Sequence, residues 1–216
     1  MILFFLVFES ITEDLVNLFH LFVILNIMFE KEAPMLAYKN EYLPNYTYDD
    51  YKAWEGDWEL IYGVPYAMAP APNITHQELN LNIGVELKKQ LKDCKHCKAL
   101  PEVDWKVNDD TVVRPDSLVV CNLKNQKAYL SQTPSIIFEV LSPSTKGKDR
   151  NFKSLLYAQN GVKYYILVEP AGMFAEVYEL KKGKYKFKGE FKEECFTFKL
   201  EDACSFEFSF REVFDI

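Results

Sequence analysis

The stretch Thr111–Pro170 opens with TVVRPDSLVV (111–120). After a polar run it continues as PSIIFEVLSPSTKGKDRNFKSLLYAQNGVKYYILVEP (134–170). Two apolar runs of β-type residues each carry one acid at an improbable place, Asp116 within VVRPDSLVV and Glu139 within IIFEVL. A carboxylate inside a buried strand costs several kcal/mol (roughly 2–7 for a polar group, more for a charge) unless something pairs with it. Two carboxylates brought together cost more, and one would keep its proton. A divalent cation relieves both penalties, so two strand acids facing one cleft point to a metal site. The alternative is a buried ion pair, with Arg114 as the nearest candidate.

Working outward, Ser142-Pro-Ser-Thr145 ends the Glu139 strand and supplies caps for a helix over about 148–160. Phe152, Leu155, Leu156 and Gln159 recur at i, i+3, i+4, i+7, which predicts the stripe that packs on the sheet. Gly161 stops the helix, and Val162–Val168 reads as a strand buried on both faces. Upstream, Thr111–Cys121 and Leu100–Val107 read as strands joined at 108–110, and Trp58–Ala69 as a hairpin about Gly63. A helix capped by Asn73 or Thr75 runs to about Lys92, with Leu79, Ile83 and Leu87 inward and Val85 and Leu91 widening the face. Thr47 caps a short helix ending near Gly56. Downstream come a hairpin (173–191), further strands (195–208) and a short helix (209–214). The pattern is α/β: a mixed central β-sheet flanked by helices.

The chain has 216 residues and a formal net charge of −7. That length supports one domain with a real core, and the charge excludes nucleic-acid binding through overall positive potential. Locally the balance reverses. Lys146, Lys148, Arg150, Lys153 and Lys163 face only Asp149 over 144–163, which is either a phosphate-binding patch or a solvated helix face.

Five cysteines, an odd number without a paired framework, predict reduced thiols and a cytoplasmic protein. Cys94-Lys-His96-Cys97 has the spacing of half a zinc site, but a structural site wants four ligands and no second pair lies nearby in sequence. Free thiols at a helix end are therefore expected. Residues 1–34 are strongly apolar yet split by Glu9, Glu13 and Asp14, too short for a bilayer span and without the positive start of a secretory signal. They are read as an extension before a domain at 35–216, with Met35 as a natural start. A membrane-associating amphipathic helix and a segment that packs on a neighbouring subunit are the alternatives.

The motifs R-P-D (114–116), E-V-L-S-P-S-T (139–145), D-R-x-x-K-x-x-x-Y (149–157) and G-V-K-Y-Y-I-L-V-E-P (161–170) resemble the Uma-two family of endonucleases, part of the PD-(D/E)XK superfamily. So does the opening WELIYGVPYAMAPAPNITHQ (58–77). The resemblance covers roughly Tyr46 to Leu180. It implies a restriction-endonuclease-like core, Mg²⁺ or Mn²⁺ held by Asp116 and Glu139, and hydrolysis of phosphodiester bonds in nucleic acid, with DNA the expected polymer. A homodimer would suit cutting both strands of a duplex. The superfamily lysine would fall at Leu141. Since that place is apolar here, as in many relatives, Lys153 on the following helix is the implied catalytic lysine. Glu59 and His76 match the family's opening acid and histidine; Glu59 would support the ion or its water. His76 would touch phosphate or move a proton, or would simply hydrogen-bond locally. Tyr62 departs from the acid or amide common at its place. The competing class is a catalytically degenerate fold that binds nucleic acid or protein.

Overall fold

The computed structural model describes residues 44–68, 73–124 and 127–216. The expected boundary at 34/35, and every reading of residues 1–34, lie outside those residues. Pro44–Ile216 forms one unit, and no described helix is long and apolar enough to cross a membrane.

Helix α1 (Tyr48–Tyr51) starts at Thr47, which exchanges hydrogen bonds with Asp50 as a capping box. Strands β1 (Trp58–Ile61) and β2 (Val64–Ala67) form the expected hairpin. Its two-residue turn needs positive φ at both positions, and Tyr62 and Gly63 sit at +50° and +76°. A Cβ on Gly63 would meet the Asn45 side chain at 2.8 Å, so glycine is required twice over. Helix α2 (Ile74–Gln90) begins at Asn73, whose side chain accepts the His76 N–H. Leu79, Ile83 and Leu87 are buried as expected and Leu91 beyond the helix is too, but Val85 faces solvent.

A six-stranded sheet forms the centre, in the order β10 (Lys184–Phe191), β9 (Phe174–Lys181), β8 (Tyr164–Glu169), β7 (Ile136–Val140), β6 (Ser117–Cys121), β3 (Cys97–Pro101). Only β7 and β8 run parallel, joined by the helical segment 148–159. Alternation along these strands sorts the core into two layers. Ile136, Phe138 and Val140 face one side with α2, β11 (Cys195–Lys199), β12 (Ser205–Ser209) and α4 (Phe210–Phe214). Ile137, Leu141, Tyr165 and Leu167 face the other with Leu156 and Tyr157. Glu139 lies between Ile137 and Leu141 on that second face.

Three expectations are corrected. The two long strands expected over 100–121 are broken. β4 (Trp105–Lys106) and β5 (Val112–Val113) join β1 and β2 in a second sheet, while β3 and β6 stay in the main one. Arg114-Pro115-Asp116 bridges the two sheets, because proline removes a ladder donor at the bend.

The second correction concerns the helix after β7. Lys148–Lys153 is π-wound and α3 (Ser154–Gln159) continues it. Its inward face is Asp149, Lys153, Leu156 and Tyr157, whereas Leu155 and Gln159 face solvent. The wider π turn shifts the register: Asp149 and Lys153 take inner positions, Lys153 reaching acids on the strands, while Leu155 turns to solvent and Phe152 stays half-buried against the second layer.

The third concerns the cysteines. Cys94 pairs with Cys204 and Cys97 with Cys121, leaving Cys195 free and exposed. The β3–β6 register sets Cys97 opposite Cys121, and the turn before β12 carries Cys204 to Cys94.

Candidate active site

β1, the bend before β6, β7 and the π-wound segment each deliver charged side chains to one place. Glu139 on β7 is 3 % exposed and accepts hydrogen bonds at the same Oε1 from Lys153 Nζ (2.9 Å) and the Tyr157 hydroxyl (2.7 Å). Lys153 Nζ also lies 3.0 Å from Glu59 Oε1 and 3.6 Å from Asp149 Oδ1. Glu59, fully buried on β1, takes the Lys148 ammonium on Oε2 at 2.6 Å and the Arg114 backbone N–H on Oε1 at 3.0 Å. Asp116 Oδ2 accepts the Val140 N–H at 2.7 Å, which fixes it beside Glu139, and the His76 Nε2 stands 3.4 Å from the same oxygen. Asp116 keeps 18 % of its side chain exposed and forms the solvent side of the cluster.

The sequence-predicted residues Asp116, Glu139, Lys153, Glu59 and His76 are thus brought together. Arg114 does not pair with Asp116; its guanidinium holds Asp57 (2.6 Å) and Asp104 (2.7 Å). Asp149, Lys148 and Tyr157 complete the site, and sequence reasoning assigned them no part in it. Their advance signals were the place of Lys148 in the basic run and the placement of Asp149, Lys153 and Tyr157 at successive helical turns within the D-R-x-x-K-x-x-x-Y motif.

Over 146–153 the basic run expected as a phosphate patch or a solvated face is ion-paired instead, while the Lys163 ammonium lies over the Tyr164 ring. Lys146 pairs with Glu169, Lys148 with Glu59, Arg150 with both oxygens of Glu176, and Lys153 with the central acids.

Electrostatics divide the acids into two kinds. Burial works against charge on Glu59, but Lys153, Lys148 and the Arg114 N–H outweigh it and hold the carboxyl at about 2. On Glu139 burial wins: with Asp149, Asp116 and Glu59 nearby it overrides Lys153 and pushes the group up to about 8. Burial raises Asp149 as well. For Lys153 burial is overcome by Glu139, Glu59 and Asp149, so its ammonium is held well above the ordinary lysine value. His76 is raised too, since its bond to Asp116 outweighs burial. The acids outnumber the lysines, and Glu139 is where the excess negative charge is least tolerated.

Asp116 Oδ1 and Glu139 Oε2 accept no hydrogen bond among the described residues. Hard carboxylate oxygens without donors, on two acids linked through the Val140 N–H, fit a cation of the Mg²⁺ class, which takes one or two carboxylates and keeps several waters. Glu59, held by two lysines and a backbone N–H, is engaged elsewhere.

A mixed sheet with an embedded carboxylate on its one parallel strand pair, met by a lysine from the crossover helix, defines an α/β protein of the restriction-endonuclease-like class. The family model Uma2, described as "Putative restriction endonuclease", matches residues 48–203. The chain belongs to the Uma2 family. A crystal structure described as a "putative nuclease belonging to DUF820", from Anabaena variabilis ATCC 29413, superposes with a TM-score of 0.64 at 17 % identity. That match covers 78 % of this chain and 97 % of the other, a likeness of fold. An uncharacterized protein of Synechocystis sp. is 29 % identical over 143 residues, which is 62 % of this chain and 74 % of that protein.

Proposed function

We propose that the protein is a metal-dependent endonuclease that hydrolyses phosphodiester bonds in DNA, with Asp116 and Glu139 holding Mg²⁺ or Mn²⁺. One observation carries the reading: Asp116 and Glu139 are fixed side by side with one oxygen each left without a donor, while Lys153 is pinned to Glu139. A bound divalent ion would supply Lewis-acid polarisation of a phosphate oxygen and a more acidic water.

The chain's own residues do the rest. Tyr157 and Lys153 hold one oxygen of Glu139 and leave the other without a donor. The Val140 N–H orients Asp116, and His76 stands behind it. Glu59 and Lys148 keep the Lys153 ammonium in place with its charge balanced. Lys153 then offers positive charge where the attacking water and the phosphate oxygens gather negative charge. In the hydrolysis, water oxygen bonds to phosphorus, the bond to one ester oxygen breaks, and the water proton leaves to solvent or the departing oxygen.

The second reading, a non-cleaving module that binds another protein, draws on two features. Leu141 is buried where the superfamily lysine would stand, and the lysines and arginine over 146–153 are already paired with acids.

The test is cleavage of single- and double-stranded DNA and RNA with Mg²⁺, Mn²⁺ or EDTA, wild type beside Glu139→Gln. Metal-dependent cutting lost in Glu139→Gln supports the nuclease. A folded wild type that neither cuts nor binds a divalent ion at this site leaves the binding module.

A further inference from the structure

Away from the acidic site, α2 ends in a 3-10 turn (Leu91–Asp93), and a tight turn leads into β3. There Cys94 O accepts the Cys97 N–H at 2.8 Å. This turn presents Cys94, His96 and Cys97. The turn between β11 and β12 brings Cys204 onto them from 110 residues away. One ligand atom each of His96, Cys97 and Cys204 lies within 4.8 Å of the other two. They are the only trio of possible metal-ligating groups that close among the described residues. The His96 Nε2 is buried and has no hydrogen-bond partner. Cys94 is bonded to Cys204, so its sulfur stands at the edge of the same group.

We propose that, in its thiol-reduced form, the chain binds one Zn²⁺ through Cys94, His96, Cys97 and Cys204. Soft sulfur and imidazole donors select zinc over the hard cations suited to carboxylates. Three cysteines and one histidine make a closed tetrahedral structural site, and the Cys-x-x-Cys turn is the usual half of one. The second half that the sequence lacks nearby is supplied by the fold. Each of the three thiols gives its proton to solvent on binding, and the ion offsets the thiolate charge. Cys121, bonded to Cys97 in the oxidised chain, is outside the ligand set. The ion would fasten the β11–β12 hairpin to the edge of the main sheet, as the Cys94–Cys204 disulfide does when oxidised.

The full chain is purified with a phosphine reductant and no chelator, and its zinc is measured. About one Zn²⁺ per chain is expected, and Co²⁺ in its place should show the thiolate charge-transfer absorption of a tetrahedral sulfur site. Cys204→Ser and His96→Ala should each weaken zinc binding on the order of tenfold or more, while Cys195→Ser leaves it unchanged. Should the variants fail to fold, alkylation of the unsubstituted reduced chain decides. Zn²⁺ should shield Cys94, Cys97 and Cys204, EDTA should remove the shielding, and Cys195 should react throughout. Zinc well below one per chain, no shielding of those thiols, or an affinity untouched by both ligand substitutions overturns the proposal.

Discussion

Lys153 Nζ lies 2.9 Å from Glu139 Oε1, and both side chains are almost fully buried, at 5 % and 4 % exposure. The lysine comes from the helical segment that crosses over the strand bearing the acid. A buried pair of this kind is a poor source of net stability but is expensive to break from one side. Lys153→Met leaves Glu139, Glu59 and Asp149 facing one another without their shared cation. It should lower unfolding free energy by about 3–5 kcal/mol near neutral pH, less at acid pH where the carboxyls protonate. Urea titrations of wild type and variant at two pH values check this. An unchanged midpoint at neutral pH would show that Lys153 does not neutralise the cluster.

Asp116→Asn can keep the bond from the Val140 N–H through its amide oxygen but removes one negative charge from the proposed ion site. Cleavage should fall by about a hundredfold or more, a loss typical of a charge-stabilising contact, and divalent-ion affinity should fall with it. Far-UV dichroism and thermal midpoint without metal should stay at wild type. Calorimetric Mn²⁺ titration beside the cleavage assay reads both effects.

The stability of the metal-free protein should depend on pH in two opposite ways. Glu59 is depressed from 4.5 to about 2, so the stability it contributes is full above 4.5 and is lost as pH falls toward 2. Glu139 is raised from 4.5 to about 8. The folded state therefore binds more protons than the unfolded one between those values, and stability declines as pH rises through that window. Asp149, also raised, adds to the decline. In EDTA the thermal midpoint should peak on the acidic side and fall toward pH 8; Mg²⁺ should flatten the fall, as should Glu139→Gln. A midpoint flat from pH 5 to 8 in EDTA would contradict the raised Glu139.

Tyr157→Phe removes one of two donors on Glu139 Oε1. The lost bond to this buried acceptor should cost about 1–3 kcal/mol, with Lys153 still in place. Glu139 would be freer to turn, so the metal concentration for half-maximal cleavage should rise more than the maximal rate falls. Cleavage measured across a Mg²⁺ series separates the two.

The described residues, which begin at Pro44, supply two hydrophobic layers, and the family match begins at residue 48. A chain starting at Met35 should keep the cooperative thermal transition of the full protein. A large drop in its midpoint would place residues 1–34 in the folded core.

The amino-acid sequence by itself determined the strands and turns whose signals are local. β7 and β8 are legible as apolar runs, and the hairpins from Gly63 and Gly183, both at positive φ. α2 is legible from its Asn73 cap and the Leu79, Ile83, Leu87 spacing. It also marked Asp116 and Glu139, because an acid within an apolar strand needs an explanation wherever it folds. Tertiary structure alone decided what those acids meet. Lys148 reaches Glu59 across 89 positions, and Lys153 turns inward to Glu59 and Glu139 on two strands, carrying Asp149 one turn before it, where spacing predicted apolar packing. The basic run reads as a free patch until Glu59, Glu169 and Glu176 arrive to pair with it. Cys97 meets Cys121 through strand register, and Cys204 returns to Cys94 after 110 residues. Spacing along the chain reports which face a residue occupies; charge pairing and thiol proximity depend on distances through space, and those exist only once the sheet has closed.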